Sequence, residues 1–169
     1  MIGKSRRTFL IAGLGLLPAL SACGTYQPLY GGSSGGDVES KLAAVSIEEE
    51  QSRLGQLVRN ELISTMSASG GSYTLRLDVK DNTSTVITYP GPRTRRNAAV
   101  VVSKYSLFGE DKRKALTDGR VRSSVSYDLT RDQQPIADRQ ARADAEHRAA
   151  VEIATEIRTR LAIYFSRHT

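Results

Sequence analysis

Two segments of the chain alternate between hydrophobic and polar residues, the first of them strictly. In the first, the hydrophobic residues occupy every second position: Tyr73, Leu75, Leu77 and Val79. The second segment shows the same alternation at Val121, Val125, Tyr127 and Leu129. A period of two is that of a β-strand that buries one face and exposes the other. Residues 44–47 and 98–108 contain short β-branched runs and predict two more strands.

Hydrophobic residues recur at helical spacing in two other segments. The first stripe consists of Leu54, Leu57, Val58, Leu62 and Met66. The second lies within residues 135–165 and consists of Ala150, Ile153, Ala154, Ile157, Leu161 and Tyr164. Both spacings predict amphipathic helices. The predicted fold is an α/β two-layer sandwich of order β-α-β-β-β-α, with a four-stranded mixed sheet and two helices on one face. The helical crossover predicts a first strand parallel to the second.

The amino terminus resembles an export signal. Lys4, Arg6 and Arg7 precede an uncharged segment, residues 9–20, which is too short to span a bilayer. Cys23, the only cysteine, follows the small residues Ser21 and Ala22. We therefore predict a lipoprotein signal peptide at residues 1–22 and acylation of Cys23. The alternative is an ordinary secretory signal with a chance cysteine.

Arg6 and Arg7 also resemble the twin-arginine export motif, and both the folded and the unfolded export routes stay open. Residues 24–36 are rich in glycine and serine, a composition typical of flexible coil. The predicted organisation is a lipid-anchored flexible tether at residues 23–41, followed by one α/β domain at residues 42–169.

The chemistry of the side chains argues against catalysis. The only histidines, His147 and His168, have no cysteine partner and no second histidine at metal-ligand spacing. A nucleophile elbow and a phosphate-binding loop of the Walker type are both absent from the sequence. We therefore predict no enzymatic activity, metal site or cofactor. The formal net charge of +6 falls to +3 without the signal peptide, and this modest value together with export argues against nucleic-acid binding.

Arginines concentrate at one end of the predicted sheet. Arg93, Arg95 and Arg96 lie between the second and third strands, and Arg131 follows the fourth. A meander brings these connections to the same end, which we call the basic pole. Guanidinium groups can bind phosphate through two hydrogen bonds, so the pole is a candidate phosphate-binding site. The alternative is a solubilising loop.

The polar side of the predicted sheet carries several cations, which are Arg76, Lys80, Arg120 and Arg122. This side is a candidate partner-binding face. A half-solvated sheet produces the same pattern without any partner.

A short motif follows the cysteine: Cys23-Gly24 and then an aromatic-Pro-Leu-Tyr-Gly stretch within residues 26–31. Together with the order of elements over residues 42–165, this motif resembles the LptE family of lipopolysaccharide (LPS) assembly lipoproteins. The resemblance implies a protein anchored at the periplasmic face of the outer membrane that sits inside the LptD β-barrel and contacts LPS. It also implies that Arg93 and Arg131 are the nearest matches to the family's LPS-contacting positions. The alternative is another outer-membrane or transport-associated structural lipoprotein with a different protein partner.

Overall fold

The computed structural model describes residues 33–82, 84–87, 94–130 and 135–168. Cys23, Arg93 and Arg131 lie outside the described residues, as does the predicted signal peptide. Three helices are present in the described part: α1 (Ser33–Ala43), α2 (Arg53–Met66) and α3 (Pro135–Arg167). The strands are β1 (Val45–Ile47), β2 (Tyr73–Asp81), β3 (Ser84–Ile87), β4 (Thr94–Phe108) and β5 (Ala115–Thr130).

The sheet is four strands wide, as predicted. β1 is parallel to β2, and β2 and β5 both pair antiparallel with β4 on its two sides. The short β3 pairs with the first part of β4, whereas β2 pairs with the second part. The backbone N–H of Asn82 donates to the carbonyl of Val100 at 2.8 Å and continues the ladder beyond β2. β2 and β3 therefore lie one after the other along the same side of β4.

All three helices contribute to a single core on one face of this sheet, the inner face. Leu75, Leu77 and Val79 of β2 and Val121 and Val125 of β5 are buried there, which confirms the alternation in the sequence. The helices supply the other layer of this core with Val58, Leu62, Ile153, Ile157, Leu161 and Phe165. The predicted two-layer α/β sandwich is therefore confirmed.

Helix α1 corrects the prediction of a flexible tether as far as residue 41. Val38 and Leu42, four residues apart, are 1% and 0% exposed and belong to the core. Arg158 of α3 donates to Glu39 at 2.8 Å, which fixes α1 against α3. An isolated helix of this length is marginal in water, and the glycines of α1 favour coil locally. Tertiary packing therefore stabilises α1. The packed domain thus begins with α1 and not at residue 42.

A buried carboxylate joins α2, α3 and the end of β2. Glu146 of α3 has a side chain that is 5% exposed and accepts from Arg53 at 2.6 Å and from Arg142 at 2.7 Å. Arg142 also contacts Asp81, with Nη2 to Oδ2 at 3.0 Å. Removal of one partner from a buried ion pair is costly because the other charge stays behind. These pairs therefore hold the helices in a fixed position under the sheet.

Candidate functional site

Backbone register pairs the strand ends that lie next to the predicted basic pole. Thr94 pairs with Thr130, so the residues next to Arg93 and Arg131 in the chain are cross-strand neighbours. Arg95 lies in register with Leu129, and Arg96 with Asp128.

Arg96 is the only member of the basic pole whose side chain the structure describes. It is half-exposed, and its Nε lies 3.0 Å from Oδ1 of Asp128. Asp128 therefore neutralises part of the charge on this arm of the pole.

The face of the sheet opposite the helices, the outer face, carries the four candidate partner-binding residues. Arg76, Lys80, Arg120 and Arg122 are all exposed there. Their environments differ, however, because some have a carboxylate partner and others have none among the described residues.

Arg76 is already hydrogen-bonded to a carboxylate of the same chain. Its Nε and Nη2 donate to the two carboxylate oxygens of Glu48 at 2.8 and 3.2 Å, and its guanidinium lies 5.0 Å from the centre of the Phe108 ring. The hydrogen bond from Arg76 lowers the pKa of Glu48, and the charges of Arg76 and Lys112 lower that pKa further, against the opposing effect of burial. Arg76 is thus held in place and already paired.

We predict that Arg76→Gln raises the pKa of Glu48 towards its ordinary value. A lowered carboxyl pKa stabilises the fold above the unfolded-state pKa, and this contribution disappears as the pH falls through the folded-state pKa. The variant therefore loses less stability than the wild type on acidification across that window. Titration of the Glu48 carboxyl resonance by NMR measures the shift, and Lys80→Gln is the control on the same strand. An unchanged Glu48 pKa in Arg76→Gln would contradict the assignment.

A second group of cations lies farther along the outer face and includes a residue that sequence reasoning missed. Lys104 of β4 stands directly opposite Arg120 of β5, and Val102 stands between Lys80 and Arg122. We call Lys80, Lys104, Arg120 and Arg122 the outer cationic patch. The pattern of residues 98–108 predicts a strand but not which strands flank it, and it therefore does not single out Lys104.

The two histidines do not form a site with other ligands in the described part of the chain. His168 stacks on Tyr164 at 4.3 Å between ring centres, and its Nδ1 lies 2.8 Å from the Tyr164 carbonyl oxygen. His147 is exposed on α3. Within residues 33–82, 84–87, 94–130 and 135–168, no group of three or more histidine, cysteine or acidic residues is arranged to hold a metal ion.

These features define a class of protein: a two-layer α/β domain with one charged, open sheet face. Residues 41–161 match the LptE family, described as lipopolysaccharide-assembly, and this match covers most of the chain. The chain belongs to the LptE family, so the resemblance seen in the sequence is confirmed. No curated protein matches the sequence.

Two solved structures have the same fold. A Caulobacter crescentus protein described as a lipoprotein is 26% identical, with a TM-score of 0.69 over 79% of this chain and 98% of that one. A minor lipoprotein from Acinetobacter baumannii is 10% identical, with a TM-score of 0.51 over 70% of this chain and 90% of that one. The likeness to the Acinetobacter protein concerns the fold alone. No described helix is both long enough and apolar enough to cross a membrane.

Proposed function

We propose that this LptE-family protein is a lipoprotein of the outer membrane that partners an LptD-like barrel and binds LPS. In this proposal acylated Cys23 anchors the chain at the periplasmic face, the outer face of the sheet meets the barrel, and the basic pole meets LPS. The protein acts by binding and not by catalysis. Family membership over residues 41–161 is the observation that carries the proposal.

The outer face suits the lumen of an outer-membrane barrel. Such lumens are polar, and a protein inside one needs a polar surface rather than an apolar one. The helices cover only the inner face, and exposed charged residues of β2, β4 and β5 line the other. Arg120 and Arg122 form no ion pair with the described residues, which leaves both available to a partner.

The basic pole suits the phosphates of LPS. The pairing of Thr94 with Thr130 supports the convergence of the two connections that carry Arg93 and Arg131. Phosphate recognition favours arginine because its planar group donates two parallel hydrogen bonds.

Site-specific photocrosslinking in cells tests the proposed partner and the orientation together. A crosslinker at position 122, on the outer face, is expected to capture an LptD-like barrel, whereas one at position 148, on the exposed side of α3, is the matched control. Capture of the barrel from position 148 alone would reject the proposed orientation. Capture of a different protein from position 122, with no barrel, would favour the alternative of another structural lipoprotein.

A further inference from the structure

The outer cationic patch brings four positive side chains together around one buried hydrophobic residue. Along one row across the strands, Asp78, Lys104 and Arg120 are neighbours, and the next row contains Lys80, Val102 and Arg122. Directly opposed cross-strand residues have Cβ atoms about 4.5–5.5 Å apart. Val102 is 7% exposed although it belongs to the outer face. The patch is thus a small cationic area with an apolar floor.

We infer that the outer cationic patch is a binding site for a phosphate-bearing group, separate from the basic pole. It lies on the face that the proposed function turns towards the barrel, so a barrel and a phosphate group would compete for Arg120 and Arg122. The residues that carry this inference are Lys104 and Arg120, since like charges placed directly opposite each other destabilise a sheet. A bound dianion between them would convert that repulsion into attraction.

The carboxylates nearby neutralise only part of the patch, since Asp78, which stands opposite Lys104, faces cations that outnumber it. Asp78 contacts Lys80, with a distance of 3.7 Å between Nζ and Oδ2. Asp81 is engaged by Arg142 of α3 at 3.0 Å. Lys104, Arg120 and Arg122 form no ion pair with any described residue. Three cations are therefore available to an external anion.

The shape of the surface also fits a ligand. A hollow of about 320 Å³ opens here on the outer face. Its lining consists of Asp78, Lys80, Asp81, Asn82, Val102, Lys104 and Arg120. Phosphate suits this lining because the arginine can donate two hydrogen bonds while the lysines act as point charges.

Titration with inorganic pyrophosphate, followed by NMR, tests the site. The sample is the mature chain from residue 23, with Cys23→Ala so that no acyl chain contributes. We expect Lys104→Gln and Arg120→Gln each to weaken pyrophosphate binding by about tenfold, the effect of losing one hydrogen bond to a charged group. Lys112→Gln combined with Lys114→Gln, in the β4–β5 hairpin, is the control for net charge, and Arg96→Gln is the control for the basic pole.

Thermal unfolding separates binding from folding in the same variants. Arg120→Glu places opposite charges across from each other at Lys104, so the melting temperature should stay the same or rise while pyrophosphate binding is lost. Equal loss of binding in the hairpin control would overturn the inference, as would a wild-type chain that binds no pyrophosphate. Binding of polyglutamate without binding of pyrophosphate would also overturn it, in favour of an acidic protein surface.

Vesicles identify the source of the phosphate. The comparison uses phosphatidylcholine vesicles with and without phosphatidic acid. If Lys104→Gln weakens binding to the phosphatidic acid vesicles and pyrophosphate competes with them, the site takes a lipid headgroup. If Lys104→Gln weakens only pyrophosphate binding, it takes a soluble phosphate. Both results support the site, and they do not depend on whether a barrel partner exists.

Discussion

Leu42→Ala is expected to lower the free energy of unfolding by about 2–5 kcal/mol, the usual cost of this change at a fully buried position. Leu42 is 0% exposed and packs in the core from helix α1. Adding Val38→Ala should increase the loss, because Val38 lies one helical turn earlier and is 1% exposed. Chemical denaturation of the mature chain measures both effects.

Ser40→Ala is the matched control on the same helix. Ser40 is exposed, and exposed substitutions usually change stability by less than about 0.5 kcal/mol. A tether without structure as far as residue 41 would give the same small effect for Val38→Ala as for Ser40→Ala. That result would contradict the packing of α1 and restore the boundary at residue 42.

Arg93→Glu combined with Arg131→Glu is expected to abolish most binding to LPS while leaving the melting temperature unchanged. Each reversal replaces a guanidinium that the proposal assigns to phosphate with a group that repels phosphate, so the expected loss exceeds about a hundredfold for the pair. Binding of purified LPS, measured at several salt concentrations, provides the test. The wild type should be more sensitive to salt than the variant, since screening acts over about 8 Å at physiological ionic strength.

Lys112→Glu combined with Lys114→Glu changes the net charge by the same amount at the other end of the sheet. Phe108 and Ala115, which flank that hairpin, pair with each other, far along β4 from Thr94. If both double variants lose LPS binding equally, only the overall charge matters. The basic pole would then have no specific role.

The sequence alone predicts those elements whose hydrophobic spacing shows which of their residues are buried. β2 and β5 each bury alternate residues, and a single helical stripe marks α2 and α3. Helix α1 was missed because its glycines favour coil locally and its two core residues, Val38 and Leu42, are too few to form a visible stripe. Only the finished core makes that helix stable.

The candidate surfaces were predictable to a different extent. Alternation alone places Arg76, Lys80, Arg120 and Arg122 on the outer face. It does not reveal that Glu48, which follows β1 directly, forms an ion pair with Arg76, or that Lys104 stands opposite Arg120. Both facts depend on which strands are neighbours and in what register, and those are properties of the assembled sheet.

The early start of the packed domain has a geometrical consequence for a chain held by Cys23. Nine residues, 24–32, separate that cysteine from Ser33, the first residue of α1. A chain extends by at most about 3.3–3.6 Å per residue, so this segment spans no more than roughly 35 Å. A tether that ran to residue 41 would span about twice that distance. If Cys23 is acylated as proposed, the domain stays within roughly 35 Å of the bilayer, and a partner must present its binding surface there.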